Sequence, residues 1–119
     1  MDPTDKMKMK QDYIPVITRK ETTRVYLKDI LYIETELRVI NIYTENRIYR
    51  KYGKLNDLMN SLNSHFYRCH KSCIVNLEKI MSMEDGVFYF YGGKTLRIGK
   101  NKYQYTRSYY KKYLEQNMK

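Results

Sequence analysis

The chain has 119 residues and a formal net charge of +10, with 23 Lys and Arg against 13 Asp and Glu. Its hydrophobic fraction of 42% and charged fraction of 30% indicate one folded globular domain and exclude a disordered chain. No apolar run reaches the length of a membrane span, and two cysteines do not make a disulfide framework. We therefore expect a cytoplasmic protein with no membrane partner, whose positive charge favours nucleic acid.

The first half of the chain is predicted to be mainly β. Residues 1–12 are polar and lack a period, so we expect a flexible lead or linker remnant there and a domain over residues 13–116. Runs rich in β-branched and aromatic residues then alternate with polar breaks. In one run, Ile40 and Ile42 fall on the same face of a strand. The expected strands cover residues 14–18, 23–27, 30–34, 39–44 and 47–52.

A mid-chain helix is predicted over residues 54–63. Leu55, Leu58, Met59 and Leu62 recur at the spacing of an amphipathic helix, which indicates one apolar stripe that packs on a sheet. The pattern contains no clear helix-turn-helix pair. If the chain binds DNA, its loops must therefore read the sequence.

The stretch FYRCHKSCIVN at residues 66–76 is the most distinctive part of the chain and contains no glycine or proline. Ile74 and Val75 favour a buried strand, while the residues before them carry donors suited to anionic oxygens or base edges. We expect a core strand whose entry loop presents these donors to nucleic acid. The donors are Arg68, His70, Lys71 and Ser72.

A three-stranded meander is predicted next. Asp85-Gly86 is a typical two-residue hairpin turn. Gly92-Gly93 is not followed by a helix, so the pattern indicates a second hairpin turn and not a phosphate-binding loop. The expected strands cover residues 80–84, 87–91 and 94–98.

A C-terminal helix is predicted over residues 101–116. We expect Tyr103, Tyr110 and Leu114 to form its inward face. The segment from 94 to 119 holds eight Lys and Arg and one acid, which makes it an electropositive region.

No catalytic or metal-binding constellation stands out. The sequence lacks the P-loop, dinucleotide-binding, serine-hydrolase and zinc-protease motifs, so we predict neither an enzyme nor a cofactor. Cys69 and Cys73 have poor spacing for zinc, and Cys73 is expected to be a small buried hydrophobe. If residues 69–73 are continuously extended, the two cysteines lie roughly 13 Å apart, beyond the reach of a disulfide.

Three segments together resemble a known family. They are VYLKDILYIE at residues 25–34, FYRCHKSCIVN at 66–76 and LRIGKNKY at 96–103. Each is similar to a segment of the LytTR DNA-binding domain, the output module of many bacterial response regulators. The resemblance extends over residues 13–114. The presence of a cysteine directly before His70 is a further similarity, in this case to the accessory-gene-regulator (Agr) type of quorum-sensing regulator.

The resemblance implies a fold and a function. The implied fold is mainly β, an elongated arrangement of small antiparallel sheets with a mid-chain helix and a C-terminal helix. The implied function is sequence-specific recognition of direct-repeat promoter sites in double-stranded DNA, through loops that enter successive major grooves. A second copy of the chain is a further expected partner on DNA. Such a domain regulates transcription within a two-component or quorum-sensing response regulator, or as a stand-alone regulator.

The resemblance also assigns residues to DNA binding. Lys71 lies in the loop of the core signature, Lys100 and Asn101 lie in the basic turn, and Arg38 lies in the loop that follows Ile33-Glu34. Relatives often carry Arg in the basic turn, and Lys100 cannot make the fork-shaped contact of Arg with guanine. The expected DNA-binding residues are Arg38, His70, Lys71, Ser72, Lys100, Asn101 and Lys102.

Two residues of the core signature are expected to be structural. Arg68 and Asn76 should hold the flanks of the loop by hydrogen bonds to the backbone.

Two other functions fit the composition. One is a basic RNA-binding module, in which the aromatic run Tyr89-Phe90-Tyr91 stacks bases on a strand face. The other is a protein-interaction domain whose basic face meets an acidic partner or a membrane surface. The salt dependence of binding to duplex DNA and to RNA separates these functions.

Overall fold

The computed structural model describes residues 12–117, so all but the last residue of the expected lead at residues 1–12 lie outside the described residues. The described part of the chain forms ten strands and two helices, which confirms the prediction of a mainly β fold. Asp12 already pairs with the fold, because its carbonyl oxygen accepts a hydrogen bond from Leu27 N at 2.8 Å.

The strands and helices follow one another in a simple order. The strands are β1 (Tyr13–Ile17), β2 (Thr22–Tyr26), β3 (Ile30–Glu36), β4 (Val39–Thr44), β5 (Ile48–Tyr52), β6 (Phe66–His70), β7 (Cys73–Asn76), β8 (Ile80–Glu84), β9 (Val87–Phe90) and β10 (Thr95–Arg97). The helices are α1 (Leu55–Met59) and α2 (Lys100–Gln116), and short 3-10 turns span Leu27–Asp29 and Leu77–Lys79.

Three small antiparallel sheets make up the fold. The first is the hairpin β1–β2, the second has the order β5-β4-β3-β7-β6, and the third has the order β10-β9-β8. The domain is elongated, with extents of 46 × 36 × 25 Å. This architecture confirms the predicted arrangement of small sheets with a mid-chain and a C-terminal helix.

The core lies on both faces of the five-stranded sheet. On one face, Ile33, Ile42 and Ile74 pack with the β1–β2 hairpin and α1. On the other face, Val75 packs with Phe88 and other side chains of the third sheet and α2. Because successive side chains of a strand point to opposite faces, neighbouring residues of β7 supply both cores.

The mid-chain helix is shorter than predicted. It ends at Met59, although the apolar stripe predicts a helix over residues 54–63. Asn60, Ser61 and Asn63 favour turns because their side chains compete for backbone hydrogen bonds. Leu62 is nevertheless buried with the first core.

Residues 69–73 are not continuously extended, so the condition on which the predicted separation of the two cysteines rested is not met. The segment is a hairpin, in which β6 and β7 are joined by a tight turn at Lys71-Ser72. Cys69 Sγ consequently lies 3.6 Å from Cys73 O, so the expected separation of the two cysteines does not hold. Both cysteines are buried free thiols, as predicted for Cys73.

The predicted inward position of Leu114 is also wrong. Tyr103, Thr106 and Tyr110 form the buried face of α2, whereas Leu114 is 46% exposed. One position earlier, Tyr113 turns towards β6 and contacts the ring of His65. The buried face of α2 therefore continues from Tyr110 to Tyr113, and Leu114 lies beside this face and not within it.

Candidate nucleic-acid interface

An arginine braces the turn at the centre of the core signature. Arg68 Nε donates a hydrogen bond to His70 O at 3.3 Å, and its guanidinium also donates to Lys71 O. A further guanidinium nitrogen donates to Asn56 Oδ1 just before the middle of α1. The planar guanidinium of Arg68 thus hydrogen-bonds two carbonyl oxygens of the turn, while the Lys71 side chain is exposed.

His70 closes the same turn from within. Its Nδ1 accepts a hydrogen bond from Ser72 N at 3.1 Å and lies 2.9 Å from Ser72 Oγ. A neutral ring with an accepting Nδ1 carries its proton on Nε2. His70 and Ser72 are half-buried, and their polar atoms are used largely within the turn. Their predicted contact with DNA remains a prediction.

The turn between β3 and β4 lies at the same end of the five-stranded sheet. Leu37 adopts a left-handed backbone with φ of 57° and is 95% exposed. The neighbouring Arg38 is exposed, and its carbonyl oxygen accepts a hydrogen bond from Gly53 N at 3.0 Å. Thr35 N donates to Ser72 O at 2.9 Å, which joins this turn to the Lys71-Ser72 turn.

The start of α2 is directed towards this end as well. The His65 ring contacts Tyr113, and the Tyr67 ring stacks on Tyr109 at a centroid distance of 4.4 Å. From His65 to Tyr67 the chain advances into β6, while their ring partners go back along α2 from Tyr113 to Tyr109. The helix therefore runs antiparallel to the strand. The first helical residues thus point towards the end of β6 at His70.

The predicted DNA-binding residues consequently gather towards one end of the domain, which we call the turn end. It comprises the turns at Leu37-Arg38 and Lys71-Ser72 and the start of α2. Arg38 and Lys71 lie on adjacent turns, and Lys100, Asn101 and Lys102 are exposed in the first turn of the helix. The exposed, unbonded helical N–H groups there add a partial positive charge.

Asn76 lies at the opposite end of β7 and is 2% exposed. Its Nδ2 donates to Ile30 O at 2.8 Å, and its Oδ1 accepts from Glu78 N at 3.1 Å. Both bonds are to backbone atoms, as predicted, but they lie at the end of β7 away from the Lys71-Ser72 turn and do not hold a flank of that turn. The mutational consequence of this role remains a prediction.

Sequence reasoning missed the supporting residues Asn56 and Thr35. Asn56 bonds Arg68 from twelve positions away, and Thr35 bonds the turn through its backbone. Neither residue carries a local sequence signal for this role, because their contacts arise from packing of α1 and β3 against β6 and β7.

Two side chains close to the turn end, Glu34 and Cys73, have raised pKa values. Burial raises the pKa of the Glu34 carboxyl, which pairs across the sheet with Cys73. The hydrogen bond with Cys69 and then burial raise the pKa of the Cys73 thiol. A neutral buried thiol is a poor nucleophile, so we assign Cys73 a packing role.

Neither a metal cluster nor a membrane helix is found within residues 12–117. No group of three or more His, Cys, Asp or Glu is placed to hold a metal there. Over the same residues, no helix has the length and apolarity needed to cross a bilayer.

Comparison with known proteins agrees with the fold. The family model for the LytTr DNA-binding domain matches residues 20–118. The transcriptional regulatory protein YpdB of Escherichia coli O6:H1 is 29% identical over 83 residues, which cover 69% of this chain and 34% of that protein. The chain thus spans about a third of the length of this curated relative.

A solved structure shares the fold. It is the LytTr DNA-binding domain of a Bacillus cereus protein described as a methyl-accepting/DNA response regulator. The TM-score is 0.71 at 18% identity, and the match covers 82% of this chain and 95% of that one. Together with the family match, this confirms the resemblance seen in the sequence. The chain belongs to the LytTR family of DNA-binding domains, which are found in transcriptional regulators.

Proposed function

We propose that the domain reads double-stranded DNA with the turn end, in a sequence-specific manner. Arg38 and Lys71 enter the major groove from adjacent turns, and the first turn of α2 contacts the DNA further along the same side. The observation that carries this proposal is the hydrogen bond from Thr35 N to Ser72 O, which fixes two exposed cationic turns side by side. The direction of α2 supports the participation of Lys100 and Asn101.

The dimensions of the domain support contacts with successive grooves. Its longest extent is 46 Å, whereas one turn of B-DNA rises by about 34–36 Å. A face of the domain that runs along this extent is long enough to reach neighbouring major grooves on one side of the duplex. Bending of the DNA towards the domain would increase the number of cations that reach phosphates.

We further propose that the domain binds promoter sites built as direct repeats, with one copy of the chain on each repeat. The biological setting that fits is transcription regulation in the cytoplasm by a two-component or quorum-sensing response regulator, or by a stand-alone protein. The similarity to a transcriptional regulatory protein supports the regulatory part of this proposal.

Selection from random duplexes tests the proposal directly. We expect enriched sequences to contain one motif repeated in the same orientation, with centres separated by about two helical turns, roughly 20–21 base pairs, because each copy already occupies neighbouring grooves. Gel shifts should then show preference for the repeat over a duplex with one inverted half. Absence of any enriched motif would contradict sequence-specific reading, and an inverted repeat would contradict the direct-repeat arrangement.

An RNA-binding module is the second candidate. Tyr89 and Tyr91 are 38% and 52% exposed, so their rings are open to stacking, whereas Phe90 is only 1% exposed and belongs to the core. This aromatic surface lies on the third sheet, away from the cations of the turn end. Tighter binding to single-stranded RNA than to the selected duplex would favour this candidate.

A further inference from the structure

A second basic surface lies at the edge of the five-stranded sheet. The turn that joins β1 to β2 stands beside β5 and the start of β4, and a cleft of about 750 Å³ separates them. We call it the edge cleft, and we refer to its apolar lining residues, Ile17, Val39 and Tyr52, as the floor and to its cationic lining residues as the rim. It lies next to the turn end, because Val39 follows directly on Arg38.

The floor of the edge cleft is unusually open for apolar side chains. Ile17 is 69% exposed and Tyr52 is 82% exposed, although each sits on a regular strand. Both side chains would gain free energy by contact with another apolar group. This surface therefore suits a partner that brings apolar side chains.

The rim of the edge cleft is cationic. Arg19, Lys20, Arg50 and Lys51 line it, and no Asp or Glu does. Arg50 Nε donates to Asn41 Oδ1 at 3.0 Å, and Lys51 Nζ donates to Pro15 O at 3.2 Å. Within residues 12–117, none of these four cations forms an ion pair. Their charges are thus available to carboxylates of a partner.

Charge and chemistry restrict the occupant. Residues 1–11 carry three lysines and two aspartates, so this segment does not complement a cationic rim. A second copy of a chain with net charge +10 is repelled by the same rim. Duplex DNA would meet the cations but would leave the apolar floor exposed. An acidic protein segment with apolar side chains satisfies both features.

We propose that the edge cleft is a docking site for an acidic, apolar segment of another protein. The carboxylates of the segment pair with the cationic rim, and its apolar side chains cover Ile17, Val39 and Tyr52. This site is separate from Lys71 and from the start of α2, so a partner bound there stands beside DNA held by the turn end. The proposal does not depend on which DNA sequence the domain reads.

Titration of the ¹⁵N-labelled chain tests this proposal. The probe is a pool of short synthetic peptides in which Asp and Glu are mixed at random with Leu and Phe. The control pool has Ser in place of Leu and Phe, so its charge is the same. We expect the amide signals of residues 17–20 and 50–52 to shift with the first pool and much less with the control.

Variants sharpen the test. The double substitution Ile17→Ser and Tyr52→Ser should weaken binding of the probe about tenfold, because its apolar contacts are lost. Met81→Ser is the matched control, since Met81 is an exposed apolar residue on the third sheet (58%). Met81→Ser should bind the probe with unchanged affinity. Both variants should also keep their affinity for duplex DNA.

Three outcomes would overturn the proposal. Equal binding of both peptide pools would reduce the cleft to a nonspecific cationic surface. Absence of shifts at the cleft residues would remove the site altogether. Loss of DNA affinity in the double variant, with no effect on the peptides, would assign the surface to the DNA interface instead.

Discussion

Thr35 N donates a hydrogen bond to Ser72 O at 2.9 Å, and this contact fixes the position of two turns that are far apart in sequence. Arg38 lies three residues beyond Thr35, and Lys71 immediately precedes Ser72. The backbones that carry the two cations are therefore held in a fixed relation, while both side chains are exposed. Recognition of DNA by loops requires this kind of rigidity, because a loose turn would lose affinity through ordering on binding.

Lys71→Ala should leave the fold intact and weaken binding to the selected duplex. An exposed lysine contributes little to stability, so the melting temperature should not change. Loss of a contact with a guanine edge should cost about 1–3 kcal/mol and relax specificity at one base pair. Loss of a phosphate contact should instead weaken all duplexes alike and reduce the salt slope by about one.

Lys28→Ala is the matched control for this substitution. Lys28 is exposed and precedes β3, so it lies at the opposite end of the sheet from the turns. The substitution Lys28→Ala removes the same charge as Lys71→Ala and should have little effect on specific binding. Arg38→Ala and Lys100→Ala should resemble Lys71→Ala. Wild-type affinity and specificity in Lys71→Ala would remove this residue from the reading surface.

Arg68→Lys should impair DNA binding even though the charge is kept. Lysine cannot reproduce the simultaneous hydrogen bonds of the guanidinium to His70 O, Lys71 O and Asn56 Oδ1. We expect a loss of about 1–2 kcal/mol in unfolding free energy from urea denaturation, together with weaker duplex binding. Arg97→Lys is the control, because Arg97 donates a comparable hydrogen bond to Asp85 O in the turn of the β8–β9 hairpin. Unaltered DNA affinity in Arg68→Lys would show that the turn does not need this brace.

Asn76→Ala should destabilise the domain without removing a DNA contact. The substitution leaves Ile30 O and Glu78 N without their buried or half-buried partner, at a cost of about 1–3 kcal/mol. The melting temperature should fall, while affinity measured well below it should be unchanged. Asn117→Ala removes an exposed amide at the end of α2 and should leave the melting temperature unchanged. Lost DNA binding at an unchanged melting temperature would instead identify Asn76 as a contact residue.

Binding to duplex DNA should depend steeply on salt. About five phosphate contacts at about 0.9 counterions each predict a log–log slope of −4 or steeper. Fluorescence anisotropy over a range of KCl concentrations measures this slope. A flat dependence would be incompatible with a nucleic-acid partner.

Glu34→Gln should stabilise the domain at neutral pH. Burial raises the pKa of Glu34 above its usual value of about 4.5, so the folded state binds the proton more tightly than the unfolded state. Stability therefore falls as pH rises through the interval between the two pKa values. Melting curves should show a gain for the variant at pH 7 that disappears below the usual carboxyl pKa. A gain that persists at low pH would assign the effect to packing instead of ionisation.

Local sequence patterns predicted most of the strands and the two hairpins of the third sheet. Asp85 and Gly86 both take positive φ, 52° and 82°, as a two-residue hairpin turn with this sequence requires. The Lys71-Ser72 turn contains neither glycine nor proline, so no local turn signal marked it, and its position at Lys71 came from the resemblance to LytTR domains. Its stability comes from Arg68, which is anchored by Asn56, and a local pattern does not contain that contact.

The candidate site shows the same division. The resemblance to LytTR domains supplied Arg38, Lys71 and Lys100, but it gave no reason for their convergence. That convergence depends on the pairing of β3 with β7 and on the antiparallel course of α2 along β6. Both relations join residues that are far apart in the chain, and periodicity within one segment carries no information about them.

The pairing of β3 with β7 also has a consequence for folding kinetics. It matches Tyr32 with Val75 and Glu34 with Cys73, so a loop of about forty residues must close before the central ladder can form. Contacts this distant in sequence are formed slowly relative to hairpins and helices. Because the same ladder aligns the two turns, a nascent or partly folded chain lacks a DNA-reading surface until its core has closed. Competence to bind DNA should therefore appear in a single kinetic phase, together with burial of the central sheet.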